Sequence, residues 1–213
     1  CLQRRDVEPD LMLALVAAES WGGMRWPLPA GPWREGVAAL RRADAVVVTC
    51  KSAPLDRGAA LAASLAPLTR RRMGRVAELT PAHLLPLGGG EPRLVREAVG
   101  GRKVVALCGI GAPDAFAAQL RALGAAQVDL VAFGDHHAFT PRDVSAARGR
   151  AGADGLVVTT EKDAVKLRGL WPAGLPDCWV AVLDVSISRG DDTLARLLDE
   201  IAGARRTPTV PEG

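Results

Sequence analysis

Short apolar runs recur along the chain, separated by stretches of helical periodicity. Residues 11–18 and 44–49 are almost continuously apolar, the pattern of strands covered on both faces. Between them, residues 21–32 are expected as loop, because Pro27, Pro29 and Pro32 deny helix or ladder to a stretch already rich in Gly and Trp. Residues 35–43 read as a short helix, and a helix over residues 56–65 closes this first unit. Residues 73–79 alternate like a half-exposed strand, and residues 81–90 read as a turn-rich connector. From Arg102 the rhythm is strand, helix, strand, helix, strand. Residues 114–123 place Phe116, Leu120 and Leu123 on one stripe, with Gly124 as a stop. Thr140-Pro141 opens the next helix, the hydroxyl as cap and the proline at the first position. Residues 179–185 read as another strand and 192–202 as a final amphipathic helix. The Pro- and Thr-rich residues from Gly203 onward are expected to be disordered. The pattern predicts an α/β fold built on mainly parallel sheets flanked by helices.

Composition narrows the class. The 213 residues are 48% hydrophobic and 24% charged, enough for one or two domains with a sizeable core. The longest apolar runs fall far short of the roughly 20 residues of a membrane helix, and no charged segment followed by an apolar stretch opens the chain as a signal peptide would. Cys1, with no Met before it, reads as a start in mid-frame; lipoprotein processing also leaves an amino-terminal Cys. The four cysteines have no C-x-x-C pairing and are expected as buried reduced thiols of a cytosolic protein. A net charge of +3 with dispersed basic residues suits an anionic membrane surface and does not argue for nucleic acid. Lysine occurs only at positions 51, 103, 162 and 166, which makes Lys162 and Lys166 stand out as a pair.

Three strand-to-loop junctions carry the candidate chemistry: VVALCGIGAPDAF (residues 104–116), VDLVAFGDHHAFT (128–140) and DGLVVTTEKDAVKL (154–167). Strands of an α/β sheet present chemistry at their carboxyl ends. At Asp135-His136-His137 an imidazole can take or pass a proton near neutral pH, and the neighbouring carboxylate can orient it. The plain alternatives are surface loop histidines or a helix-capping aspartate. The same three letters hold divalent ions in DHH-type phosphoesterases, but those also need further strand-end aspartates and a later Gly-Gly-Gly-His, and here Gly88 to Gly90 come earlier and are followed by Glu91. Gly109 and Gly111 follow a strand and precede a helix, but Pro113 and Asp114 break the dinucleotide pattern. A tight turn admitting close backbone approach explains the two glycines equally well. In Thr159-Thr160-Glu161-Lys162-Asp163, a threonine can cap the following helix, with Glu161 and Asp163 in its first turn. Alternatively Lys162 contacts an anionic group or organises the adjacent loops.

In colinear order these pieces resemble tetraacyldisaccharide 4'-kinase, the lipid A kinase family. PLPAGPWRE (residues 27–35) resembles its LLPAGPLRE-like loop, and RADAVVV (42–48) the strand that follows. CGIGAPDAF resembles GIGNP-x-x-F, GDHHAF resembles F-x-DHH-x-F, and TTEKDAVKL resembles TEKDAVKL. Leu2-Gln3-Arg4-Arg5 and Asp10-Leu11 resemble the end of its DDG-x-QHRRL-x-RDL segment, with Arg4 where the family has His. The resemblance spans about residues 1–202. It implies Mg2+- and ATP-dependent phosphorylation of the 4'-hydroxyl of a lipid disaccharide 1-phosphate, at the cytoplasmic face of the bacterial inner membrane. It implies the end of a P-loop-type domain over residues 1–68, a second α/β/α domain over 69–202, and a tail over 203–213. It also implies that His136 activates the sugar hydroxyl with Asp135 orienting it, and that Gln3, Arg4, Arg34, Gly109, Gly111, Glu161 and Lys162 line the substrate and nucleotide cleft.

One departure outweighs the matches. No G-x-x-x-x-G-K-[ST] occurs anywhere in the chain, and no glycine is followed by lysine, so the backbone cradle for phosphates and the hydroxyl that would hold Mg2+ are absent from these residues. The expectation is a carboxyl-terminal fragment of the kinase, inactive alone, whose partners are the lipid substrate, the membrane surface and a P-loop half. The competing expectation is a P-loop-less module that binds the acyl-disaccharide.

Overall fold

The computed structural model describes residues 9–23, 29–30, 35–173, 178–187 and 192–204. The chain divides into two compact units. One comprises Cys1–Glu78 with Ser186–Gly213, the other Leu79–Val185.

In the first unit β1 (Leu13–Ala17), β2 (Ala45–Cys50) and the opening residues of β3 (Met73–Pro86) pair in parallel, Leu13 opposite Ala45 and Ala45 opposite Met73. The helix expected over residues 35–43 is a 3-10 helix, Val37–Arg42, and α1 is Leu55–Leu65. Leu61, Ala62 and Leu65 of α1 close over Val46, Val48 and Val76, with Leu40 completing the cluster. Gly74 is required by this packing, since a Cβ there would collide with the backbone carbonyl of Ala62.

The second unit is doubly wound. Its strands are the later part of β3, β4 (Arg93–Leu94), β5 (Lys103–Cys108), β6 (Gln127–Ala132), β7 (Leu156–Thr160) and β8 (Cys178–Ile187), whose last residues belong to the first unit. The order is β3-β8-β7-β5-β6, with β4 antiparallel on β3, and the pairs β5–β6, β5–β7 and β7–β8 are parallel. Its helices are α2 (Val95–Val99), α3 (Pro113–Ala122), α4 (Pro141–Ala151) and α5 (Glu161–Leu167). Alternation along β5 splits the core as a pleated strand must. Val104, Ala106 and Cys108 pack with Val95 and Val99 of α2 and Phe116 and Leu120 of α3. Val105 and Leu107 pack with Val144 and Ala147 of α4 and Ala164 and Leu167 of α5. The chain leaves β5 for β6 on one side and returns to β7 on the other, so the strand order reverses at β5. The carboxyl ends of β5, β6 and β7 therefore flank a topological switch point.

Residues 81–90, expected as a connector, are different: β3 continues through Pro86, and only Leu87 to Gly90 turn, with Gly89 and Gly90 at positive φ. The prolines concealed the strand. Pro81 falls after Glu78, the last residue paired with β2, and before His83 and Leu84, which pair with β4, where a missing N–H is tolerated on that side. Helix α2 and strand β4 lack any clear periodic signal. The sequence places a domain boundary at 68/69, whereas contacts divide the chain inside β3. The last helix, α6 (Thr193–Ala204), runs to Ala204, and the expected tail otherwise lies outside the described residues. Cys50, Cys108 and Cys178 are buried. Among the described residues no helix is long and apolar enough to cross a membrane.

Candidate functional site

The three junctions converge at the carboxyl ends of β5, β6 and β7. Gly109 ends the first, with its N–H donating to Asp163 Oδ2 at 2.8 Å. A Cβ on Gly109 would stand 3.3 Å from the Gly134 carbonyl oxygen and 3.4 Å from His137 Cβ, so the loop after β6 passes close over Gly109 and would have to give by a few tenths of an ångström to admit a side chain there. Gly111 faces open space.

The loop after β6 turns sharply at His136, whose φ of 66° lies in the left-handed region that non-glycine residues seldom enter. The turn sends the two histidines different ways. His137 packs inward: its ring stacks on Phe133 with centroids 4.2 Å apart, meets Phe139 edge-on, and its Nε2 lies 3.2 Å from Asp143 Oδ2. Asp143 and Thr140 form a capping box at the start of α4, and the Thr140 hydroxyl and N–H hold the Asp143 carboxyl below its ordinary range. His136 points outward with 80% of its side chain exposed. Its Nε2 lies 3.7 Å from Asp135 Oδ2, longer than a hydrogen bond. Asp135 instead pairs with Lys162 Nζ, and that bond is the main reason its carboxyl sits below the ordinary carboxylate value.

Lys162 belongs to α5, capped by Thr160, whose Oγ1 accepts from Asp163 N at 3.3 Å. The structure thus brings together Asp135, His136, Lys162 and Gly109. Glu161 turns elsewhere. Its Oε2 accepts from Leu183 N at 3.3 Å, and it lines a cleft of about 660 Å3 with Leu85, Leu87, Arg168, Val180 and Val182, whose walls include none of Asp135, His136 and Lys162. Gln3, Arg4 and Arg34 lie outside the described residues. Sequence reasoning gave Asp163 only a place in the first turn of a helix, marked Lys166 only as a pair with Lys162, and gave Asp143 no role. The spacing of Lys162 and Lys166, four apart on one helix face, was the available signal.

A side chain that can carry a proton, at the end of a parallel strand beside a lysine–aspartate pair, is suited to deprotonating a hydroxyl next to an anionic group. The Tetraacyldisaccharide-1-P 4'-kinase family profile matches residues 1–202. The chain belongs to the tetraacyldisaccharide-1-P 4'-kinase family. A tetraacyldisaccharide 4'-kinase of Anaeromyxobacter sp. (strain Fw109-5) is 39% identical over 201 residues, 92% of this chain and 53% of the relative. Those of Paramagnetospirillum magneticum and Geobacter metallireducens are 36% and 40% identical, over 95% and 84% of this chain and 56% and 50% of theirs. The chain thus spans about half the length of these relatives. Its fold matches a crystal structure of LpxK from Aquifex aeolicus in complex with ATP, with a TM-score of 0.58 at 22% identity, covering 94% of this chain and 55% of that one. Membership of the kinase family makes the fit of nucleotide and metal a question for this half. Among the described residues no group of three or more His, Cys, Asp or Glu is placed to hold a metal ion. With no G-x-x-x-x-G-K-[ST] in the sequence either, these residues do not fit a nucleotide-phosphate and Mg2+ site.

Proposed function

We propose that this chain is the carboxyl-terminal half of a tetraacyldisaccharide 4'-kinase, which phosphorylates the 4'-hydroxyl of a lipid A disaccharide 1-phosphate precursor. It works with a P-loop-bearing portion that holds ATP and Mg2+, at the cytoplasmic face of the inner membrane. What carries the reading is the exposed His136, raised on the β6 loop at the switch point of a chain matching the family over residues 1–202. Phosphoryl transfer asks for placement, charge neutralisation and a group to receive the hydroxyl proton. His136 takes that proton. Lys162 keeps Asp135 ionised at its side, so that once the imidazole is protonated the carboxylate stabilises the cation across a gap of 3.7 Å. Gly109 and Lys162 belong to the wall that receives the anionic substrate.

The test combines the chain with the portion of the Anaeromyxobacter kinase that it does not match, and follows transfer of labelled phosphate from ATP to the lipid disaccharide. The chain alone is expected to show no turnover. The combination is expected to turn over, with His136→Ala lowering kcat by on the order of 10²-fold or more and His83→Ala leaving it unchanged. Full activity of His136→Ala would overturn the base assignment, and turnover by the chain alone would overturn the half-kinase reading.

A further inference from the structure

The Asp135-His136 loop is held from beneath by α5. Lys162 pairs with Asp135, and one turn on, Lys166 Nζ donates to the His137 carbonyl at 3.1 Å while standing 5.8 Å from the Phe139 ring centroid. Lys166 in turn lies 3.6 Å from Asp163 Oδ1. Asp163 is completely buried, with an exposure of 0%. Its Oδ2 accepts from Gly109 N–H at 2.8 Å and from the Thr160 hydroxyl at 2.9 Å.

A buried carboxylate needs a reason, because desolvating it costs several kcal/mol unless donors and a counter-charge answer it. Capping does not supply one: the Thr160 hydroxyl already serves the first turn of α5. Among the described residues Oδ1, moreover, has no hydrogen-bond partner, and the Lys166 ammonium is the charge that faces it. What Asp163 does at this position is tie together the loops that follow β5, β7 and, through Lys166, β6.

We infer that Asp163 and Lys166 are positioning residues: the buried carboxylate fixes the Lys166 ammonium, and the ammonium fixes the backbone one residue beyond His136, which sets where the His136 ring points. The inference rests on the reading of His136 as the base, but its first test is a property of the loop alone. In the whole chain with labelled histidines, the ring signals of His136 and His137 are compared with that of His83, an exposed residue on β3 that serves as internal control. Lys166→Met is expected to move the His137 signal, displaced by its stack on Phe133, and the His136 signal, leaving His83 in place. Lys166→Arg, which keeps the charge and donor, is expected to restore both. Asp163→Asn should reproduce Lys166→Met; if it unfolds the chain, the two Lys166 variants decide. Unmoved His136 and His137 signals in folded Lys166→Met, or equal movement in Lys166→Arg, would overturn the inference.

In the reconstituted kinase, Lys166→Met should lower kcat by on the order of 10²-fold with KM within about twofold, since a misplacement of about 1 Å costs that much, and Lys166→Arg should recover it. Placed on His136→Ala, it should cost nothing more. Full activity of His136→Ala with the spectral result intact would fault the base assignment and leave the positioning of the loop standing. A further loss on that background would show Lys166 acting through something other than His136 and overturn the inference.

Discussion

At the scale of single residues, the pairing of Lys162 with Asp135 makes a claim about pH. The bond from Lys162 holds the Asp135 carboxyl below its ordinary value. A carboxylate depressed in the folded state adds stability above its unfolded value of ~3.9 and loses it as pH falls through the folded value. Lys162→Met should therefore raise the Asp135 titration toward ~3.9, and its difference from the parent should vanish at acid pH. Carbon-detected NMR of the side-chain carboxyl reads the midpoint directly; an unchanged midpoint would refute the pairing. Both residues were visible in the sequence, Asp135 beside two of the three histidines and Lys162 among four lysines. Asp163 was not, because an aspartate in a first helical turn looks like an ordinary favourable charge, and its burial depends on two loops distant in sequence. The division between His136 and His137 was equally hidden. Two identical side chains in succession differ here only through one left-handed backbone angle and an aromatic neighbour on each side of the second.

At the scale of elements, local signals were legible where caps and uninterrupted apolar runs agree, as at α4. Thr140-Pro141 announced that helix, and the structure adds the reciprocal bond, from the Thr140 N–H to the Asp143 carboxylate, that makes a complete box. Thr140→Ala removes the hydroxyl that Asp143 N–H donates to and one donor to the Asp143 carboxylate. A lost cap costs ~1 kcal/mol, so the melting temperature should fall by about 2–4 °C, with Thr140→Ser recovering most of it. Scanning calorimetry checks this, and an unaltered melt would mean the box adds nothing to stability. The opposite case is β3, where Pro81 and Pro86 argued for turns. A proline excludes strand only where its N–H would enter a ladder, and that depends on partners in β2 and β4 that no local window contains.

At the scale of the whole molecule, the parallel sheet of the first unit stops at β1, and among the described residues no strand pairs with the outer edge of β1. That strand is not defended in the usual ways. It carries no charge or proline, and Leu15 is 72% exposed on the same face as Leu13 and Ala17. A flat apolar edge of this kind recruits other strands. The expected behaviour is concentration-dependent association of the isolated chain. Leu15→Lys should suppress it at little cost to stability, because the side chain leaves one solvated position for another. Sedimentation at several concentrations measures the effect, with the melting temperature as the check on folding. The proposed P-loop portion should suppress the same association when added in equal amount, and Leu15→Lys should then weaken its binding, since a lysine would be forced into the contact that covers Leu15. A parent chain that stays monomeric at high concentration, or a Leu15→Lys chain that joins the P-loop portion as tightly as the parent, would show that this edge is not where the halves meet.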